Sequence, residues 1–204
     1  MDVKPRKSPS QARAKATVDA IVEATTQVLR QAGYDRFTTA RAAERAGVSI
    51  GTLYQYFPNK AALAAAVIDR SCENFLVAFK RTLAESDGAT LADCIRTLIG
   101  QAVISHPSEP DLHRIVRDLA PRIGVAEKTE MVRRATANLI ESILRMHADE
   151  IAPEIDLATA ATIIQTVLEA IVHRIKLARP AHTRDDALAR ETTRLITRYL
   201  TPST

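Results

Sequence analysis

The residues best suited to chemistry lie between Ile50 and Phe57, which read Ile-Gly-Thr-Leu-Tyr-Gln-Tyr-Phe. The chemistry such residues could do is recognition of a polyanion and not bond making. Leu53 and Phe57 are four apart and share the inward side of a short helix. Ile50, Gly51, Thr52, Tyr54, Gln55 and Tyr56 are left mostly outward. This outward set holds hydroxyls, one amide and a glycine, and it contains no acid. Hydroxyls can donate to phosphate oxygens, an amide can pair with the edge of adenine, and a glycine lets the backbone come close. Taken alone, the stretch is equally an ordinary helical corner with a solvated face.

The elements that must position these side chains are readable on either side. Thr38 or Thr39 can cap a helix, since a hydroxyl accepts from backbone donors that a first turn leaves free. Residues 40–46 are good helix formers, and Ala42, Ala43 and Ala46 are small enough for a close helix crossing. Gly47 stops that helix, because glycine enters the left-handed region without a Cβ clash. Val48 pins the turn to the core, and Ser49 caps the next helix. Pro58 ends it, as the residue before a proline disfavours the α conformation, and Asn59 can cap a fourth helix. Two short helices joined by a tight glycine-containing turn make a helix-turn-helix over 38–57. A first helix over about 12–32 supplies the scaffold: Val18, Ile21, Val22, Thr25, Val28, Leu29 and Ala32 fall on one face, Gly33 ends it, and Phe37 lies beneath the motif.

The segment TTARAAERAGVSIGTLYQYFPNKAAL resembles the DNA-binding motif of the tetracycline-repressor (TetR) family of bacterial regulators. It has a Thr entering the first motif helix, an Ala-Gly-Val-Ser turn, a Gly-Thr-Leu-Tyr-x-Tyr-Phe recognition helix and a Lys opening the fourth helix. The resemblance is close over about 13–70 and rests on helical architecture beyond. It departs at Ile50, where the family often carries a basic residue. Carried over position by position, it implies phosphate contacts from Thr39, Ser49, Thr52, Tyr54, Tyr56 and Lys60, a base contact from Gln55, and close backbone approach at Gly51.

Composition bounds the rest. The chain has 204 residues, 46% hydrophobic and 25% charged, as expected of a globular protein with a sizeable core. The formal net charge of +4 is matched by the segment 1–16, where Lys4, Arg6, Lys7, Arg13 and Lys15 face only Asp2. Residues 1–11, with Pro5 and Pro9, read as a disordered basic arm that attracts phosphates without regard to sequence. Cys72 and Cys94 are the two thiols, too few for a disulfide scaffold. With no secretory leader or membrane-length apolar run, they point to a reducing cytoplasm, no membrane partner, and inert buried thiols.

No strand pattern appears, so the expected fold is all-α. It comprises an N-terminal three-helix helix-turn-helix domain over 12–59 and a C-terminal helical bundle over 60–204, about nine helices in all. The fourth helix, from Lys60 to about 86, has Leu63, Val67, Phe75, Phe79 and Leu83 on its inward side and is a candidate lever. Further helices are expected over about 90–105, 110–120, 125–150, 157–178 and 184–200. The last two carry wide apolar stripes that include Ile164, Leu168, Ile171 and Ile175 and, in the ninth helix, Leu195 and Tyr199. Such stripes serve a core or a two-fold interface between copies. The family resemblance implies the interface, and hence a homodimer.

Catalytic and metal chemistry find little support. The five histidines show no metal-ligand spacing, and there is no Cys-x-x-Cys, phosphate-cradling glycine loop or nucleophile elbow. No cofactor is expected. The resemblance implies a cavity among the fifth to eighth helices for a small-molecule effector, with Cys94, His106, Leu112, Arg117, Asn138, Met146 and His173 as candidate lining residues. The reading is a transcriptional regulator, expected to repress, whose two recognition helices enter successive major grooves of a pseudo-palindromic double-stranded operator. An effector-independent architectural DNA-binding protein, an activator and an α-helical enzyme are the alternatives.

Overall fold

The computed structural model describes residues 12–84, 89–104, 110–177 and 182–202. Among them the chain forms nine α-helices and no strand: α1 (Ala12–Arg36), α2 (Thr39–Arg45), α3 (Ile50–Tyr56), α4 (Lys60–Ala84), α5 (Leu91–Ile104), α6 (Pro110–Arg122), α7 (Ala126–Met146), α8 (Leu157–Leu177) and α9 (His182–Leu200). A single 3₁₀ turn, Ala148–Glu150, follows α7. The chain divides into two compact units, one of residues 1–74 with 111–130 and the other of 75–110 with 131–204.

In the first unit α1 breaks where its glycine predicts. Gly33 has φ 71° and ψ 168°, which no helix accommodates, and residues 34–36 make one further turn. That turn drops Phe37 into the core at 1% exposure. Around it pack Ile21, Val22, Val28 and Leu29 of α1, Ala42 and Ala43 of α2, Leu53 of α3, Phe57, and Ala62, Leu63 and Val67 of α4. The alanines are the reason α2 can lie close on α1: a small side chain leaves room for the neighbouring backbone. A second cluster joins Ala64, Ala65 and Ile68 of α4 to Leu119 and Ala120 of α6 and to Val125. So the unit that holds the motif also contains α6 and the first turn of α7. Ion pairs fasten its rim, Asp19 to Arg70, Asp35 to Arg122 and Asp69 to Lys128.

Gly124 (φ 76°) makes the turn out of α6. The Val125 N–H donates to the Ala120 carbonyl at 2.9 Å and the Gly124 N–H to that of Pro121 at 3.3 Å. This six-to-one and five-to-two pairing satisfies carbonyls that a helix end leaves free. The helix ends at Arg122, with Pro121 inside its last turn.

In the second unit α5 packs against both α8 and α9. Leu91, Cys94, Ile95, Leu98 and Ile99 meet Ile140, Ile143 and Leu144 of α7, Ile164 and Leu168 of α8, and Ile196 and Leu200 of α9. Two expectations are corrected here. The seventh helix ends at Met146 and not near 150. There the His147 N–H is shared between the Ile143 and Leu144 carbonyls, each at 3.2 Å, and the chain tightens into the 3₁₀ turn. Phe75, placed inward by its spacing, is exposed and stacks on Phe79 with ring centroids 5.8 Å apart.

Candidate nucleic-acid interface

Local hydrogen bonds fix the ends of the motif helices. The Thr38 hydroxyl accepts from the Arg41 N–H at 3.3 Å and so caps α2. At its other end Gly47 (φ 67°) is left-handed; its N–H donates to the Glu44 carbonyl at 3.1 Å, and the Val48 N–H to that of Ala43 at 3.0 Å. The Ser49 hydroxyl accepts from the Thr52 N–H at 3.0 Å and caps α3. The Asn59 carboxamide oxygen accepts from the Ala62 N–H at 2.9 Å and caps α4. A helix of seven residues is unstable alone. What holds α3 is this capping together with Leu53 and Phe57, whose full burial contributes roughly 1.5–3 kcal/mol each.

That anchoring turns the remaining side chains of α3 outward. Gly51, Tyr54 and Gln55 are exposed, and Thr52 and Tyr56 half-buried. The hydroxyls come in two pairs. Ser49 Oγ lies 2.9 Å from Thr52 Oγ1, and Thr39 Oγ1 lies 3.0 Å from Tyr54 Oη. In each pair one hydroxyl spends its hydrogen on the other, and the accepting hydroxyl keeps its own to donate outward. The four residues therefore present two preorganised donors. The Gln55 side chain makes no hydrogen bond among the described residues, so its amide is free to read a partner. A Cβ at Gly51 would meet nothing nearer than Ser49 Oγ at 3.7 Å, an ordinary contact. Internal packing therefore does not require glycine there, and the missing side chain matters only to what approaches from outside.

Lys60 is held differently. Its ammonium donates to the Asp35 carbonyl at 3.3 Å and sits 4.4 Å from the centre of the Tyr34 ring. Arg122 covers the same ring at 5.5 Å and pairs with Asp35 at 2.8 Å. The guanidinium holds the Asp35 carboxyl below the usual range, while burial raises the Tyr34 phenol. This junction joins residues 87 positions apart, and no local pattern in the sequence announces it.

Of the residues assigned to an effector cavity, Cys94 is buried in the core of the second unit. Asn138 and Met146 lie on the outer side of α7, Met146 at 72% exposure, because Thr136, Ile140, Ile143 and Leu144 take the inner side. Arg117 donates through Nε and Nη2 to the adjacent Asp118 at 3.1 and 3.0 Å. His106 lies outside the described residues, as do the side chains of Leu112 and His173.

The interface stripe also divides. Ile164 at 1%, Leu168 at 7% and Ile171 at 6% exposure are buried within the protomer, so they have almost no surface to give a partner. Leu195 at 64% and Tyr199 at 39% remain outward, as does Ile163 at 42%. The Ile175 side chain lies outside the described residues, as does the basic arm, residues 1–11.

A polar cluster unforeseen in the sequence stands at the start of α5. Cys94 Sγ lies 3.7 Å from His147 Nε2, and His147 Nδ1 lies 2.7 Å from Glu150 Oε1. Glu150 also accepts from the Leu91 N–H at 3.2 Å and so caps α5. Burial pushes the Cys94 thiol up, which leaves it protonated and unsuited to nucleophilic attack. The cluster is a helix cap. Cys94 and His147 are 53 positions apart, and Leu91 and Glu150 are 59 apart, which hides the cluster from a reading by spacing.

Two family models match the chain. Residues 21–67 match the model of bacterial regulatory proteins of the tetR family, and residues 90–200 match that of the tetracyclin repressor-like C-terminal domain. The HTH-type transcriptional repressor KstR of Mycolicibacterium smegmatis is 38% identical over 72 residues. That match covers 35% of this chain and 32% of KstR, so it spans about a third of each. The fatty acid degradation regulator FadR of Bacillus halodurans superposes with a TM-score of 0.71 at 22% identity, over 94% of this chain and 96% of that one. FadR of Bacillus subtilis, solved in complex with stearoyl-CoA, gives 0.71 at 20% identity over 89% and 98%.

Proposed function

The chain belongs to the tetR family of bacterial regulatory proteins, and we propose that it is a sequence-specific DNA-binding transcriptional repressor, released from a pseudo-palindromic operator by a small-molecule effector. The observation that carries this reading is the outer face of α3. It offers two hydroxyl pairs with donors to spare, one unengaged amide at Gln55, a glycine that packing does not demand, and no acid. Thr39, Ser49, Thr52, Tyr54 and Tyr56 are assigned to phosphates, Gln55 to an adenine edge, and Gly51 to the closest backbone approach. Lys60 joins the phosphate contacts by leaving the Asp35 carbonyl.

DNA reading is assigned to 12–59, with the basic arm adding salt-sensitive affinity. Effector binding and dimerisation are assigned to 60–204. Helix-turn-helix dimers place their recognition helices about one helical turn apart on DNA, and the exposed apolar residues Ile163, Leu195 and Tyr199 are the surface assigned to the second copy. The FadR structure with stearoyl-CoA makes a small-molecule effector the expected partner. Release then comes by linkage: the effector binds the conformation that fits the operator less well, for a coupling of about 1–3 kcal/mol. The protein acts by binding and not as an enzyme. Among the described residues no helix is long and apolar enough to cross a membrane, and the proposed site of action is the cytoplasm, where the chromosome lies.

The test is selection of genomic fragments by the purified protein. A recovered two-fold symmetric motif is the expected result. Binding that falls steeply with salt but yields no motif would replace this reading with an architectural DNA-binding protein. No binding at low salt would remove DNA as the partner.

A further inference from the structure

We propose that Ile50, backed by the Tyr54 ring, is a specificity-determining residue that reads the 5-methyl group of thymine in the operator. The inference rests on the reading of α3 as a recognition helix and adds what part of the base it recognises.

The unit that holds the motif hides its large apolar side chains well. Among its described residues only Ile50, at 43%, and Tyr54, at 41%, are large apolar side chains left exposed. They are four apart on α3, so they are neighbours on one face, and it is the face that carries Gly51 and Gln55. The Tyr54 hydroxyl is engaged with Thr39 at 3.0 Å, which restrains the ring. Gly51, between the two, adds no Cβ to hold a partner off.

Base chemistry narrows what this ridge can meet. α3 has no arginine or lysine to take the O6 and N7 acceptors of guanine, and no carboxylate to accept from cytosine. Gln55 supplies one amide, enough for one adenine. In the major groove the thymine methyl is the apolar group that base pairs present, and an exposed isoleucine is its complement. Ile50 opens α3, and in helix-turn-helix proteins the N-terminal residues of the recognition helix reach the base edges. The result is a preference for T·A pairs beneath Ile50.

The experiment starts from the selected operator. Each thymine is replaced in turn by deoxyuridine, which removes the methyl and nothing else. Binding of the full-length protein is then compared with that of Ile50→Ala and Ile50→Val. One or two positions per half-site should lose about fourfold in affinity on loss of one buried methyl. Ile50→Ala should bind the thymine and deoxyuridine operators alike, with Ile50→Val between. If a motif is recovered but deoxyuridine costs nothing, or costs Ile50→Ala as much as the parent, the methyl inference is wrong and the repressor reading stands. If no motif is recovered, the repressor reading fails and the inference falls with it.

Discussion

The α2–α3 motif and the α8–α9 pair pose the same problem, since each is amphipathic and must turn one side outward. The motif solves it locally. Thr38, Gly47, Ser49 and Asn59 fix the ends of three helices by bonds spanning three to five positions, and two inward residues then settle the rotation of α3. The C-terminal pair solves it through packing: of the stripe on α8, Ile164 and Leu168 are taken by the core around α5, while Ile163 beside them stays exposed. Where the outward face is set by caps, it is prepared for a ligand that arrives as donors and acceptors. Where it is set by packing, what remains outside is apolar surface.

Two substitutions to aspartate would break or sharpen this contrast most strongly. Ile164→Asp puts a carboxylate into a site with 1% exposure and should cost about 4 kcal/mol or more, read as loss of the folded chain by thermal unfolding. A mild effect would mean that α8 is not held by the core around α5. Leu195→Asp, on exposed α9 surface, should change protomer stability by less than about 0.5 kcal/mol. It should nevertheless convert the dimer to monomer at micromolar concentration in light scattering. A persistent dimer would move the interface away from α9.

The same contrast explains how much of the molecule is legible in its sequence. Caps and glycine stops are short-range, so Gly33, Gly47 and Ser49 can be read in order; Asp156 caps α8 in the same local way, accepting from the Thr159 N–H at 2.8 Å. The two motif helices come from such signals, and the inward placing of Leu53 and Phe57 from their four-residue spacing on α3. The fates of Ile164, Met146 and Phe75 do not, because an apolar residue at helical spacing carries no mark of which neighbour will cover it. The Tyr34–Lys60–Arg122 junction and the Glu150 cap on α5 are hidden for a related reason: their partners are distant in sequence, and the fold alone brings them together.

Within the motif the effects should be smaller and should separate folding from reading. Ser49→Ala removes the α3 cap and should cost about 1 kcal/mol in urea unfolding, together with one outward hydroxyl donor. An unchanged midpoint would show that Leu53 and Phe57 hold α3 without it. Gly51→Ala should go the other way, neutral or stabilising by up to about 0.5 kcal/mol, since a helical alanine is favoured over glycine and the new Cβ meets only an ordinary contact. Operator affinity should fall all the same, because the added methyl stands where the nucleic acid must come close. Affinity that survives would take Gly51 out of the contact surface.

The smallest effect is expected at the Asp35–Arg122 pair, where the sign can be worked out. Arg122 lowers the Asp35 carboxyl in the folded protein below its value in the unfolded chain. Folding therefore favours the deprotonated group. The pair contributes wherever pH is above the unfolded carboxyl value of about 3.9, and the contribution fades as pH falls through the lower folded value. Asp35→Asn should then show a slightly lower Tm than the parent at neutral pH, and the two should converge below about pH 4. Added salt at neutral pH should narrow the gap as well, because both side chains are exposed and screened. A gap that persists in acid would assign the effect to the shape of the turn at Asp35, whose carbonyl receives Lys60, and not to the charge it shares with Arg122.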